Sequence, residues 1–213
     1  MRSFLIFCLV LYVCIFVPSN GRAQTRSAGS RPNTTEDESL RNALGKRFLK
    51  SVRSSKADDY VACWLGYEEM EAALSNLPPG APKPSAEQLK QIKAYVEKRD
   101  KLIRVSYLML RRGIAKECGD LSSLTVSDVI VSNISEIQGK TVASSIEIVL
   151  LTSGKRKVAY RVDDGALLDG KWYFSDKPAA MFTITLPNGK TENKLLSDYA
   201  TAEETETLKA LMR

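Results

Sequence analysis

The hydrophobic period of this chain changes from helical to strand-like close to Gly119. Before it, Leu40, Leu44, Phe48 and Val52 recur every four residues, and Leu89, Ile92, Val96, Ile103, Tyr107 and Leu110 draw a longer stripe of the same kind. Residues so spaced share one face of an α-helix. After it, Ile146, Ile148 and Leu150 alternate with Glu147, Val149 and Leu151, and Val158, Tyr160 and Val162 alternate again. That period of two belongs to strands with one face on a core. Helices gathered at one end and strands at the other predict an α+β fold, with N-terminal helices packed on a curved antiparallel sheet.

Local signals place the boundaries. The spacing predicts a first helix over residues 39–54 and a second from Ala57 into the seventies. The Pro- and Gly-rich stretch 77–84 then halts helix formation. Ser85, followed by Glu87 and Gln88, is an N-cap for the third and longest helix, whose end is expected at Gly113. Strands are expected over 125–134, 141–151, 158–162 and 171–174, with turns at 163–165 and 169–170. The pairs Asp-Gly and Asn-Gly tolerate the positive φ that tight hairpins demand. A further hairpin, 181–186 with 190–195 about Asn188-Gly189, and a helix ending at Met212 close the chain. Arg99 and Ser106 fall on or beside the long helix's apolar stripe. The ordinary reading buries the Arg99 stem and leaves its head in water; the sharper one turns a polar group into a pocket.

The N-terminus reads as an address. Arg2 precedes fourteen apolar residues, Phe4 to Val17, and Gly21-Arg22-Ala23 supplies small residues before a cut. This is a signal-peptide pattern over 1–23, and the run is short of the roughly 20 residues a bilayer span needs. The mature chain is then expected outside the cytoplasm, periplasmic or secreted, with no stable membrane span. Residues 24–38 are small, polar and charged, and read as a disordered leader. Residues 39–178 form the domain, and 179–213 an extension. The net charge of +6 falls to +4 once Arg2 and Arg22 leave with the signal. That balance is no signature of specific nucleic-acid binding.

Histidine is absent from the chain. Ser-His-Asp and Cys-His centres and histidine metal sites are thereby excluded. No cofactor, metal or phosphate-loop motif is found. Two cysteines remain after signal removal, Cys63 and Cys118. They are either a disulfide in an oxidising compartment or two thiols packed as small hydrophobes. The long helix carries Lys90, Lys93, Lys98, Arg99, Lys101, Arg104, Arg111 and Arg112 against Glu97 and Asp100. Such a stripe is either an ordinary solvated face or a surface for an anionic polymer or lipid head group.

Several stretches together resemble the nuclear-transport-factor-2-like, or SnoaL-like, superfamily of cone-shaped domains. They are Lys56-Ala57-Asp58-Asp59-Tyr60 leading to Trp64-Leu65, the long helix before the sheet, and Tyr160-Arg161-Val162-Asp163-Asp164-Gly165 followed by Asp169-Gly170-Lys171-Trp172-Tyr173-Phe174. The resemblance covers 40–178. It implies a pocket between the helices and the concave sheet, for which Tyr60, Trp64, Arg99, Tyr107, Tyr160 and Trp172 are the candidate lining. Members of that superfamily include small enzymes, binding domains and domains that only dimerise, and the fold alone does not choose between them. With no histidine in the chain, the reading taken is a non-catalytic binding or assembly domain for a small ligand or protein partner, with a homodimer among the forms open to it. The alternative is a small dehydratase- or isomerase-like enzyme with Asp58 or Asp59 as base and Tyr60, Tyr107 or Tyr160 as donor.

Overall fold

The computed structural model describes residues 35–76, 83–137 and 140–212. The expected signal peptide, the expected leader up to residue 34, and the central part of the Pro-rich breaker lie outside the described residues. Among the described residues five α-helices and seven strands follow one another: α1 (Thr35–Arg53), α2 (Ala57–Val61), α3 (Tyr67–Ser75), α4 (Ala86–Cys118), β1 (Thr125–Ser132), β2 (Ser135–Ile137), β3 (Lys140–Leu151), β4 (Lys157–Leu168), β5 (Lys171–Phe174), β6 (Met181–Thr185), β7 (Thr191–Leu195) and α5 (Ala202–Met212). All strand pairs are antiparallel, in the order β1-β3-β4-β6-β7, with β2 also on β3 and β5 also on β4. The sheet is open, and helices cover its concave face. This is the expected α+β architecture.

The core follows from the two periods. Leu44, Phe48 and Val52 of α1, Ile103, Tyr107 and Leu110 of α4, and Ile146, Ile148, Leu150, Val158, Tyr160 and Val162 of the sheet are buried in one cluster. α4 begins as the sequence indicates. The Ser85 side chain accepts from Gln88 N–H, and the Gln88 side chain accepts from Ser85 N–H, which satisfies two otherwise orphaned donors at the helix start.

Five boundaries differ from expectation. α1 begins at Thr35, inside the expected leader; Asp37 and Glu38 sit in its first turn, where the helix dipole favours negative charge. The expected second helix is two, α2 and α3. Between them Trp64 N–H turns back on Val61 C=O, and Leu65 N–H donates to Phe174 C=O. The long helix does not stop at Gly113 but runs to Cys118 and ends at Gly119, with φ 83°. Gly113 is instead a point of close approach. A Cβ there would lie 2.8 Å from the Phe182 ring and 3.0 Å from that of Tyr199, so its bare backbone lets the C-terminal segment press onto α4. β4 runs straight through Asp163-Asp164-Gly165, where a turn was expected. Asp164 takes a φ of 57°, and a Cβ on Gly165 would collide with Ile146 at 2.4 Å. Finally, 179–213 is no appendage: β6 pairs with β4 and extends the sheet, and Phe182, Ile184 and Leu196 belong to the common core. Among the described residues no helix is long and apolar enough to cross a membrane.

Candidate functional site

The space between helices and sheet is filled by aromatic side chains. Phe48, Tyr60, Trp64, Tyr107, Tyr160, Trp172 and Phe174 are buried. Tyr60 lies 4.6 Å from Trp64 and 5.2 Å from Tyr107 between ring centroids; Phe48 stacks on Tyr160 at 5.4 Å; Trp64 meets Phe174 at 4.7 Å. Offset and tilted contacts of this kind are the favourable ones. Their polar ends are largely paired. The Tyr60 hydroxyl donates to Tyr160 Oη at 3.0 Å, and Ala179 N–H donates to the same oxygen at 3.1 Å. Tyr107 Oη donates to the carbonyls of Ser54 and Ser51, and Trp64 Nε1 donates to Asp176 C=O at 3.0 Å. Burial pushes the Tyr60 and Tyr160 hydroxyls well above the ordinary tyrosine range. Five of the six candidate lining residues therefore meet as packing, with Trp172 the one whose ring N–H lacks an acceptor.

Arg99 differs in kind. The residue is 3% exposed, so its head is not in water and the ordinary reading of this position does not hold. One terminal nitrogen, Nη2, donates to Leu65 C=O and reaches Asp100 Oδ1 at 3.3 Å. Among the described residues its Nε and Nη1 have no hydrogen-bond partner, and Ser175 Oγ, just after β5, has none either. Leaving a buried donor unpaired costs about 1–3 kcal/mol, more when the group is charged, and a group in that condition calls for an explanation. Tyr95 and Asp176 complete the surroundings. Burial raises the Tyr95 hydroxyl, with Arg99 acting to lower it and Asp176 to raise it. Sequence reasoning missed both. Tyr95 lies one turn before Arg99 on the same helix, a spacing that could have found it; Asp176 sits in an irregular segment that no pattern marks.

The carboxylates proposed for catalysis stay outside this interior. The Asp58 side chain is 80% exposed and pairs with Arg104 at 2.6 Å. Asp59 pairs with Lys50 at 3.5 Å, and a hydrogen bond from Ser54 holds its carboxyl below the ordinary value. Neither reaches a tyrosine of the core. A carboxylate–phenol pair does occur at the far end of α4, where the Tyr199 hydroxyl donates to Glu117 Oε1 at 2.7 Å and Lys194 lies 3.4 Å from Glu117 Oε2. That bond keeps Glu117 low and ionised, the reverse of what a proton-abstracting base near neutrality requires. An open groove of about 770 Å³ adjoins it, lined by Lys116, Glu117, Cys118, Thr152, Arg156 and Asn188 among others. Its cations serve the frame: Arg156 donates to Glu117 C=O at 2.5 Å, and Lys116 lies over Tyr199.

Cys63 and Cys118 are both free thiols, so no disulfide joins them. Cys63 is packed beneath α2, and burial pushes its thiol up to about 12. Cys118 is half-buried at the end of α4. Among the described residues, no group of three His, Cys, Asp or Glu side chains could hold a metal ion.

Comparison with known proteins adds little to this geometry. No protein-family model matches the chain, and no curated protein matches it. A cystatin-like protein from Ruminococcus gnavus ATCC 29149 aligns in structure with a TM-score of 0.36 and 11% identity, over 69% of this chain and 43% of that one. This chain thus spans less than half the length of that protein. The fold description rests on the sheet order and register given above.

Proposed function

We propose that this chain is an exported, non-catalytic binding or assembly domain of the cone type, recognising a small ligand or a protein partner outside the cytoplasm. One observation carries the reading. Arg99 is buried with two nitrogens unpaired, within electrostatic reach of Tyr95, while the hydroxyls of Tyr60, Tyr107 and Tyr160 in the core have partners. A ligand or partner group bearing an acceptor, a carboxylate above all, would satisfy those donors. The enzyme alternative lacks comparable support, because Asp58 is exposed on Arg104 and half-buried Asp59 is held by Lys50 and Ser54.

The test separates binding from architecture. Arg99→Met removes two unpaired buried donors and also gives up the bonds to Leu65 C=O and Asp100, terms of similar size and opposite sign. Arg99→Met is therefore expected to keep a melting temperature close to the parent's. Acetate, benzoate and inorganic phosphate, titrated against the secreted chain by thermal shift, are expected to raise Tm for the parent and to lose that effect in Arg99→Met. A variant that melts much earlier, together with no ligand-dependent shift in the parent, would make Arg99 a structural residue. Secretion with an N-terminus at Gln24, read by mass spectrometry, tests the exported part.

A further inference from the structure

We infer that the solvent face of α4 is a docking surface for a bilayer bearing anionic head groups. At about 100° per residue, Lys90, Lys93, Lys98, Lys101, Arg104, Arg111 and Arg112 fall within an arc of about 140°. Arg99 lies on the opposite side, among the buried residues. All but the half-buried Arg111 are exposed. From Lys90 to Arg112 the stripe is about 33 Å long at 1.5 Å per residue. The acids facing it are Glu87 and Glu97 within the arc, Asp58 on Arg104 and Glu204 on Arg112; four lysines remain outside those ion pairs. Leu108 stands in the middle of the arc at 43% exposure, one turn on from Arg104 and one turn before Arg112. Half-buried Val105 lies beside it.

Charge complementarity selects an anionic partner, and the apolar residue at its centre selects a bilayer over a soluble polyanion. A lipid surface accepts cations at its head groups and an aliphatic tip just beneath them. Nucleic acid would favour aromatic rings for stacking on the same face, and Tyr95 and Tyr107 of α4 lie elsewhere, half-buried and buried. α4 is already held rigid by its packed side, so docking orders no new segment.

Each basic residue near such a surface contributes about fivefold in partitioning. The experiment is co-sedimentation of the secreted chain with phosphatidylcholine vesicles, with and without phosphatidylglycerol. Binding is expected to the anionic vesicles alone and to weaken as salt rises. The triple variant Lys90→Gln, Lys98→Gln, Lys101→Gln is expected to bind on the order of 100-fold less. Leu108→Ala is expected to weaken binding severalfold with unchanged salt dependence. Both variants change solvent-facing residues, and retained Tm would confirm their folding. Equal binding to uncharged vesicles, an unaffected triple variant, or binding to single-stranded DNA that Leu108→Ala leaves intact would each overturn the inference.

Discussion

The tyrosine cluster and Arg99 both draw on α4, which carries Tyr107 and Arg99 alike, and they bury polar atoms under opposite rules. Tyr60, Tyr107 and Tyr160 place three hydroxyls in a dry interior and give each a partner. Arg99 places three nitrogens there and leaves two without one. Since a buried unsatisfied group is costly and a satisfied one nearly neutral, the first arrangement is what stability alone would select. The second needs another reason. Residues on one stripe, alike in burial, thus separate into structure and candidate function only when their hydrogen bonds are followed.

Breaking the aromatic side of that contrast should have the largest effect. Phe48→Ala removes a ring that touches Tyr60, Tyr160 and Phe174, and a loss of about 3–5 kcal/mol is expected in urea unfolding. Tyr160→Phe keeps the ring and removes only the oxygen that receives Tyr60 O–H and Ala179 N–H. About 1–3 kcal/mol should be lost, and a value near zero would mean that the hydroxyl network is incidental. Arg99→Met is expected to stay within about 1 kcal/mol of the parent, of either sign, which puts the two poles side by side on one scale. Asp58→Asn breaks an exposed pair with Arg104 and should shift stability by no more than about 0.5 kcal/mol.

Alkaline pH sharpens the same comparison without mutation. Cys63 titrates near 12 when folded against an ordinary 9.0, and Tyr60 and Tyr160 are raised above 10.0. A folded pKa raised above the unfolded one means that the unfolded state releases its proton first. The stability these groups contribute is then complete below pH 9 and lost as pH climbs toward 12. Tm should be flat from neutrality to about pH 9 and fall beyond it. At neutral pH a thiol reagent should label half-buried Cys118 and spare Cys63 until the chain unfolds.

Much of the fold was legible because it rests on local period and local capping. The i, i+4 stripe of α1, the Ser85–Gln88 box and the alternation of β3 and β4 are each readable within a short window. Legibility failed where one sequence signal has two physical uses. Gly113 looks like a helix stop, yet it is where Phe182 and Tyr199, both far along the chain, need space. Asp163-Asp164-Gly165 looks like a turn, yet β4 continues because pairing with β3 supplies hydrogen bonds to both sides of it. For the site, five of six proposed residues came together, but as packing. That Arg99 would be sealed from water could not be read from its spacing, since a stripe-edge arginine and a buried one occupy the same helical angle.

The sequence by itself determined the helix-to-strand order, the absence of histidine chemistry, the face of α4 that carries positive charge, and the residues that make the core. Each of these depends on residue type and on spacing within one element. Only the tertiary structure decided that Tyr60, Tyr107 and Tyr160 find partners within the core, that the 181–195 hairpin joins the main sheet, that Cys63 and Cys118 are thiols, and that two nitrogens of Arg99 go unpaired. The reason is the same throughout: hydrogen-bond satisfaction and close approach are properties of pairs brought together across 50 or more residues of chain, as with Tyr107 and Ser54 or Tyr60 and Tyr160, and no local window contains both partners.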